Sequence, residues 1–75
     1  MNDSRRFTAM IYRENDGYVA LCPELDVASQ GDSVEDASAN LREAVELFLE
    51  AADPSEVRAR KRDELYVAAL EVGAG

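Results

Sequence analysis

The sequence predicts an α+β fold in the order β-β-β-α-(short α)-β, with one sheet and the helices on one of its faces. Three observations carry that prediction. Apolar and polar side chains alternate in short runs bounded by turn residues, as strands of a half-buried sheet do. One long stretch from Val34 has helical periodicity and a capping signal ahead of it. The chain is 75 residues with 47% hydrophobic residues, enough for a single small core over residues 1–75 and too short for two.

The first strand is expected over Arg6 to Arg13, with Phe7, Ala9 and Ile11 on one face and Thr8, Met10 and Tyr12 on the other. Asp16-Gly17 then suits the positive φ of a hairpin loop, and Tyr18 to Cys22 forms an antiparallel partner. Pro23 cannot donate to a ladder, so it ends that strand. Pro-Glu-Leu-Asp turns the chain into a third strand over Val27 to Gln30, which Gly31 closes. A helix of about Val34 to Ala52 follows. Its cap is either Asp32 with Glu35 or Ser33 with Asp36. At 100° per residue, Val34, Ala37, Leu41, Ala44, Phe48 and Ala51 or Ala52 make its core arc. Asp53-Pro54 starts a short basic helix over Pro54 to Arg62, and Leu65 to Val72 reads as a fourth strand.

The net charge of −8 is unevenly spread. Met1 to Arg13 carry +2, Glu14 to Glu56 carry −11, Val57 to Arg62 carry +4 and Asp63 to Gly75 carry −3. Such a field repels phosphate backbones and attracts a basic protein, which argues against direct RNA or DNA binding. The basic helix lacks interleaved aromatics and is expected to pair with acids of its own domain or of a neighbouring subunit. A single cysteine and the lack of a signal-like or membrane-length apolar run predict a cytoplasmic protein, and the small core predicts a homo-oligomer, dimer or tetramer.

With no histidine in the chain, Ser-His and Cys-His nucleophile pairs are excluded and the protein reads as a non-enzyme. Glu14, Asp16, Glu24, Asp26 and Asp32 sit at turns in a spacing that fits no calcium loop; they read as solvated turn residues, so no metal or cofactor is expected. A residual carboxylate-metal nuclease would have to use these groups. Cys22 reads as filler of a core or interface. On the long helix, Asp36, Asn40, Glu43, Leu47 and Glu50 form a stripe beside the core arc, with Leu49 beyond its other edge. A solvated face accounts for the acids, whereas the two leucines point to a protein contact.

Asp16-Gly17-Tyr18, Cys22-Pro23-Glu24-Leu25, Gln30-Gly31-Asp32-Ser33 and then Glu35, Ala37, Asn40 and Glu43-Ala44, at these offsets, resemble the HicB-type antitoxins of prokaryotic toxin–antitoxin pairs. The resemblance implies a partial ribonuclease H-like fold and a partner, a basic HicA-type toxin that cuts mRNA and whose active site the antitoxin covers. In that reading Asp16, Gly17, Pro23, Leu25, Gly31 and Ser33 are structural. Glu24 and Glu43 are candidate polar contacts with the toxin, and Tyr18 and Leu47 candidate apolar ones. The alternative is an orphan oligomeric binding module without a cognate toxin. Two features depart from the family: Asp26-Val27 stand where many members carry Gly-Cys, and the sequence to Gly75 leaves no room for a C-terminal DNA-binding module, so direct autoregulation is not expected.

Overall fold

The computed structural model describes residues 6–62 and 64–73. Three strands, β1 (Met10–Glu14), β2 (Gly17–Cys22) and β3 (Val27–Gly31), precede helices α1 (Val34–Ala51) and α2 (Pro54–Arg60). The strands form an antiparallel meander in the order β1-β2-β3. Met10 lies opposite Leu21 and Glu14 opposite Gly17; Tyr18 lies opposite Gly31 and Cys22 opposite Val27. Both helices follow the sheet in sequence, as the α+β prediction requires.

The two-residue loop Asn15-Asp16 joins β1 to β2, but the positive φ falls on Asn15 (54°) and not on Gly17. Asparagine tolerates this region because its short side chain bonds locally. Gly17 has a steric role instead: a Cβ there would come within 3.0 Å of the Gly31 carbonyl oxygen.

The first strand begins four residues later than its alternation predicts. Its register would next pair residue 9 with Cys22 and residue 8 with Pro23, and proline offers no N–H to continue a ladder. Residues 6–9 therefore run extended without strand pairing, and Phe7 still packs against the core.

Helix α1 starts where Ser33 resolves the two possible caps. Its hydroxyl accepts from the Asp36 amide at 3.0 Å, and Glu35 and Asp36 sit at the positive end of the helix dipole. Core residues are Ala20, Cys22, Leu25, Ala37, Leu41 and Val45. The buried arc is thus turned from the predicted one: Val34 is 44% exposed, whereas Val45 is buried and Leu49 packs on the core beside Phe48. Val34 sits in the first turn, ahead of the close contact that Gly31 makes with α1 at Asp36 and Ala37.

That close contact depends on Gly31. A Cβ at this position would lie 2.5 Å from the Ala37 nitrogen and 2.7 Å from the Asp36 carbonyl carbon, both backbone atoms that cannot rotate away. Helix α2 has Pro54 in its first turn, but Asp53 makes no side-chain cap bond. Residues 64–73 form no strand among the described residues, so the predicted fourth strand over Leu65 to Val72 is not part of the sheet. Alternation supplies the propensity to pair, which does not by itself dock the segment on a sheet.

Gly31→Ala is expected to destabilise the fold by about 1–3 kcal/mol, as overpacking of a close contact does. A lower urea midpoint at unchanged m-value would register it.

Candidate protein-interaction surface

Carboxylates at the turns are divided between the two ends of the sheet. Glu14, Asp16 and Asp32 lie at the β1–β2 loop end, where with Tyr18, Asp36 and Asn40 they line an open depression. Glu24 and Asp26 lie in the β2–β3 turn at the opposite end. Among the described residues no three cysteine, aspartate or glutamate side chains are placed to hold a metal ion.

The stripe on α1 continues from that depression. Asp36, Asn40, Glu43, Leu47 and Glu50 are all exposed, Leu47 at 58%. Spacings of three and four residues place them on one side of the helix. Asn40 anchors this side to the sheet by donating its Nδ2 to the Gln30 carbonyl oxygen at 2.8 Å. Leu49, the second leucine outside the predicted arc, belongs to the core, so Leu47 alone is the large apolar side chain of the stripe.

Of the four candidate contact residues, Glu43 and Leu47 lie on this stripe and Tyr18 lies at its start, half-buried against the core and Gly31. Glu24 is elsewhere and already occupied. Its carboxylate accepts from the Thr8 amide at 2.9 and 3.0 Å and from the Thr8 hydroxyl at 2.7 Å, with the Cys22 thiol donating weakly at 3.5 Å. The β1–β2 ladder stops short of residue 8, and the Glu24 side chain rather than a strand carbonyl takes the Thr8 amide. Partial burial alone would raise the Glu24 pKa, but the hydrogen bonds from Thr8 outweigh it and hold the carboxyl below its ordinary 4.5.

Cys22 is fully buried on the helix-facing side of β2. Burial pushes its thiol pKa up, and the neighbouring Glu24 carboxylate adds to the rise. A raised thiol pKa means less thiolate and a less reactive sulfur.

Among the described residues, Arg60 and Arg62 bond to backbone carbonyls of the β2–β3 turn. Arg60 donates Nη2 to the Asp26 carbonyl oxygen at 3.0 Å and lies 4.8 Å from the Phe48 ring centroid. Arg62 donates its amide to the Glu24 carbonyl oxygen at 3.0 Å and Nη1 to that of Pro23. All three carbonyls belong to the β2–β3 turn, in which Asp26 has positive φ (58°).

The chain is similar in sequence to two UPF0150 proteins. A UPF0150 protein of Helicobacter pylori (strain J99) is 34% identical over 65 residues, covering 85% of this chain and 90% of the relative. A UPF0150 protein of Synechocystis sp. is 45% identical over 47 residues, covering 60% of each chain. No family model matches the chain, and no solved structure matches it. No helix among the described residues is long and apolar enough to cross a membrane.

Because the folded state lowers the Glu24 pKa, ionised Glu24 stabilises the protein above the ordinary value of 4.5, and this contribution is lost as pH falls through the depressed folded value. Glu24→Gln is expected to lower stability by about 1 kcal/mol at pH 7. The difference from the parent should vanish in strong acid, as urea titrations at a series of pH values would record.

Proposed function

The chain belongs to the UPF0150 family, and with the exposed acidic stripe of α1 as the carrying observation we propose that it is an antitoxin, one that binds and neutralises a basic HicA-type mRNA-cleaving toxin. The toxin must present a cationic surface to RNA phosphates. A protein carrying net −8, with Asp36, Glu43 and Glu50 on one helical side, competes for that surface. Leu47 supplies the apolar anchor among these charges, and Tyr18 borders the end of the same stripe. Glu24 contributes by holding the turn, since its carboxylate is engaged by Thr8.

Neutralisation in this reading is steric and electrostatic. The antitoxin performs no bond-breaking step; it occupies the ground that RNA needs. Exposed carboxylates accelerate encounter, and the buried apolar contact slows release.

The decisive measurement is co-purification with a small basic protein encoded by a neighbouring reading frame, should one exist, followed by RNA cleavage with and without this chain. A stoichiometric complex with suppressed cleavage is expected. Leu47→Asp should raise the dissociation constant at least about tenfold, and Glu43→Lys should mainly slow association and flatten its salt dependence. Unaided RNA degradation by the purified chain, or undiminished toxin activity at equimolar ratio, would refute the reading.

A further inference from the structure

Residues 64–73 stand off the body as an arm. Exposure runs from 65% at Val67 to 87% at Leu70, with Tyr66 and Val72 in between. The radius of gyration is 14.5 Å and the longest extent 50 Å, against about 11 Å for the radius of a compact chain of this length. Apart from the half-buried Leu65, this eight-residue, β-prone segment is thus left in water, which is costly in a domain with so small a core.

On the body, a groove of about 1140 Å³ opens between residues 6–9 and the two helices. Phe7, Leu41, Val45, Leu49 and Val57 give it an apolar lining. Arg6, Arg42, Arg58 and Lys61 also line it, four of the eight basic residues in the chain, against one carboxylate, Glu46. In a protein of net charge −8 this is a local reversal of sign. Beside the groove runs β1, whose outer edge no strand pairs among the described residues; the opposite edge strand, β3, already gives the Gln30 carbonyl to Asn40.

The arm matches this site in length, polarity and charge. Leu65 to Val72 spans eight residues, as do residues 7–14 along β1. Glu64 and Glu71 bracket the arm seven residues apart, and Arg6 and Arg13 bracket the β1 segment at the same spacing. Alternating Leu65, Val67 and Ala69 would face the groove while Tyr66 and Leu70 lie beside Met10 and Tyr12, both exposed on the open face of the sheet.

We propose that the arm Leu65–Val72 of a second copy of this chain adds to the free edge of β1 and fills the basic-rimmed groove, so that two chains exchange arms in a closed dimer. In the same chain the arm follows Arg62, which is bonded to the Glu24 and Pro23 carbonyls of the β2–β3 turn, and its residues 66–73 are exposed. Reciprocal exchange buries both arms and leaves no β1 edge open, the usual economy of a two-fold, strand-swapped assembly.

Sedimentation of the full chain is expected to give the mass of two chains at micromolar concentration. Val67→Glu with Leu70→Glu disables the arm, and Arg42→Glu with Arg58→Glu reverses the groove; each double variant should raise the dimer dissociation constant at least tenfold while helical circular dichroism is retained. An equimolar mixture of the two variants retains one sound arm and one sound groove in different chains, so dimer should partly return. A monomeric parent, a dimer insensitive to both doubles, or a mixture no more associated than its components would overturn the proposal. None of these readings involves a toxin, so the result stands apart from the antitoxin assignment.

Discussion

Helix α1 lies against the sheet at a distance set by small side chains. Gly31 on β3 meets the backbone of α1 at Asp36 and Ala37, Ala20 and Cys22 provide the buried floor on β2, and Ala37 faces them from the helix. Larger residues in these positions would lift the helix and open voids, since interiors tolerate little departure from close packing. The larger apolar side chains of the core are Leu25 in the β2–β3 turn and Leu41 and Val45 on the helix. Each such burial is worth about 1.5–3 kcal/mol, so few residues carry most of the hydrophobic stabilisation and the spacing that admits them is the constraint on which the fold rests.

A second consequence comes from the other end of β2. Pro23 has no N–H to continue the β1–β2 ladder, and the Thr8 amide is taken by the Glu24 carboxylate. The same turn, with positive φ at Asp26, offers carbonyl oxygens to Arg60 and Arg62. One tight turn therefore ties down the segment before β1 and the residues after α2, two stretches with little packing of their own. It also explains why a helix of seven residues persists, since its last turn is held by tertiary contacts that isolated helices of this length lack.

Features with local causes were legible in the sequence: the hairpin, the proline stop, the helix start at Ser33 and the break at Gly31 each follow from one or two residues. Rotation of the helix was not, because periodicity defines the width of an apolar stripe and leaves open which edge meets the sheet. Val34 and Leu49 exchanged places for that reason. Asp16-Gly17 signalled a loop correctly while Asn15 took the strained angle. The Glu24 clamp left a partial signal: a proline ends the ladder, so the segment opposite must find other partners, and the next residue is a carboxylate. Carbonyl acceptors for Arg60 and Arg62 left no trace in residue types at all. Of the candidate contact residues, the exposed acids of α1 could be read from helical spacing, whereas the occupation of Glu24 depended on a contact sixteen residues away.

Charge is segregated around α1 in a way that separates two tasks. At 100° per residue, Asp36, Asn40, Glu43, Leu47 and Glu50 point toward the β3 side, as the bond from Asn40 to Gln30 requires. Arg42, Val45 and Leu49 lie on the other flank, over the groove beside Phe7. The core arc runs between them. An arm seated in the groove thus leaves the acidic stripe uncovered, and each chain of an exchanged dimer presents one such stripe. Self-association and capture of a basic partner then do not compete for surface. Neutralising the basic rim with an acidic arm would also remove the region of this molecule most attractive to RNA, and so sharpen its preference for cationic protein over polyanion.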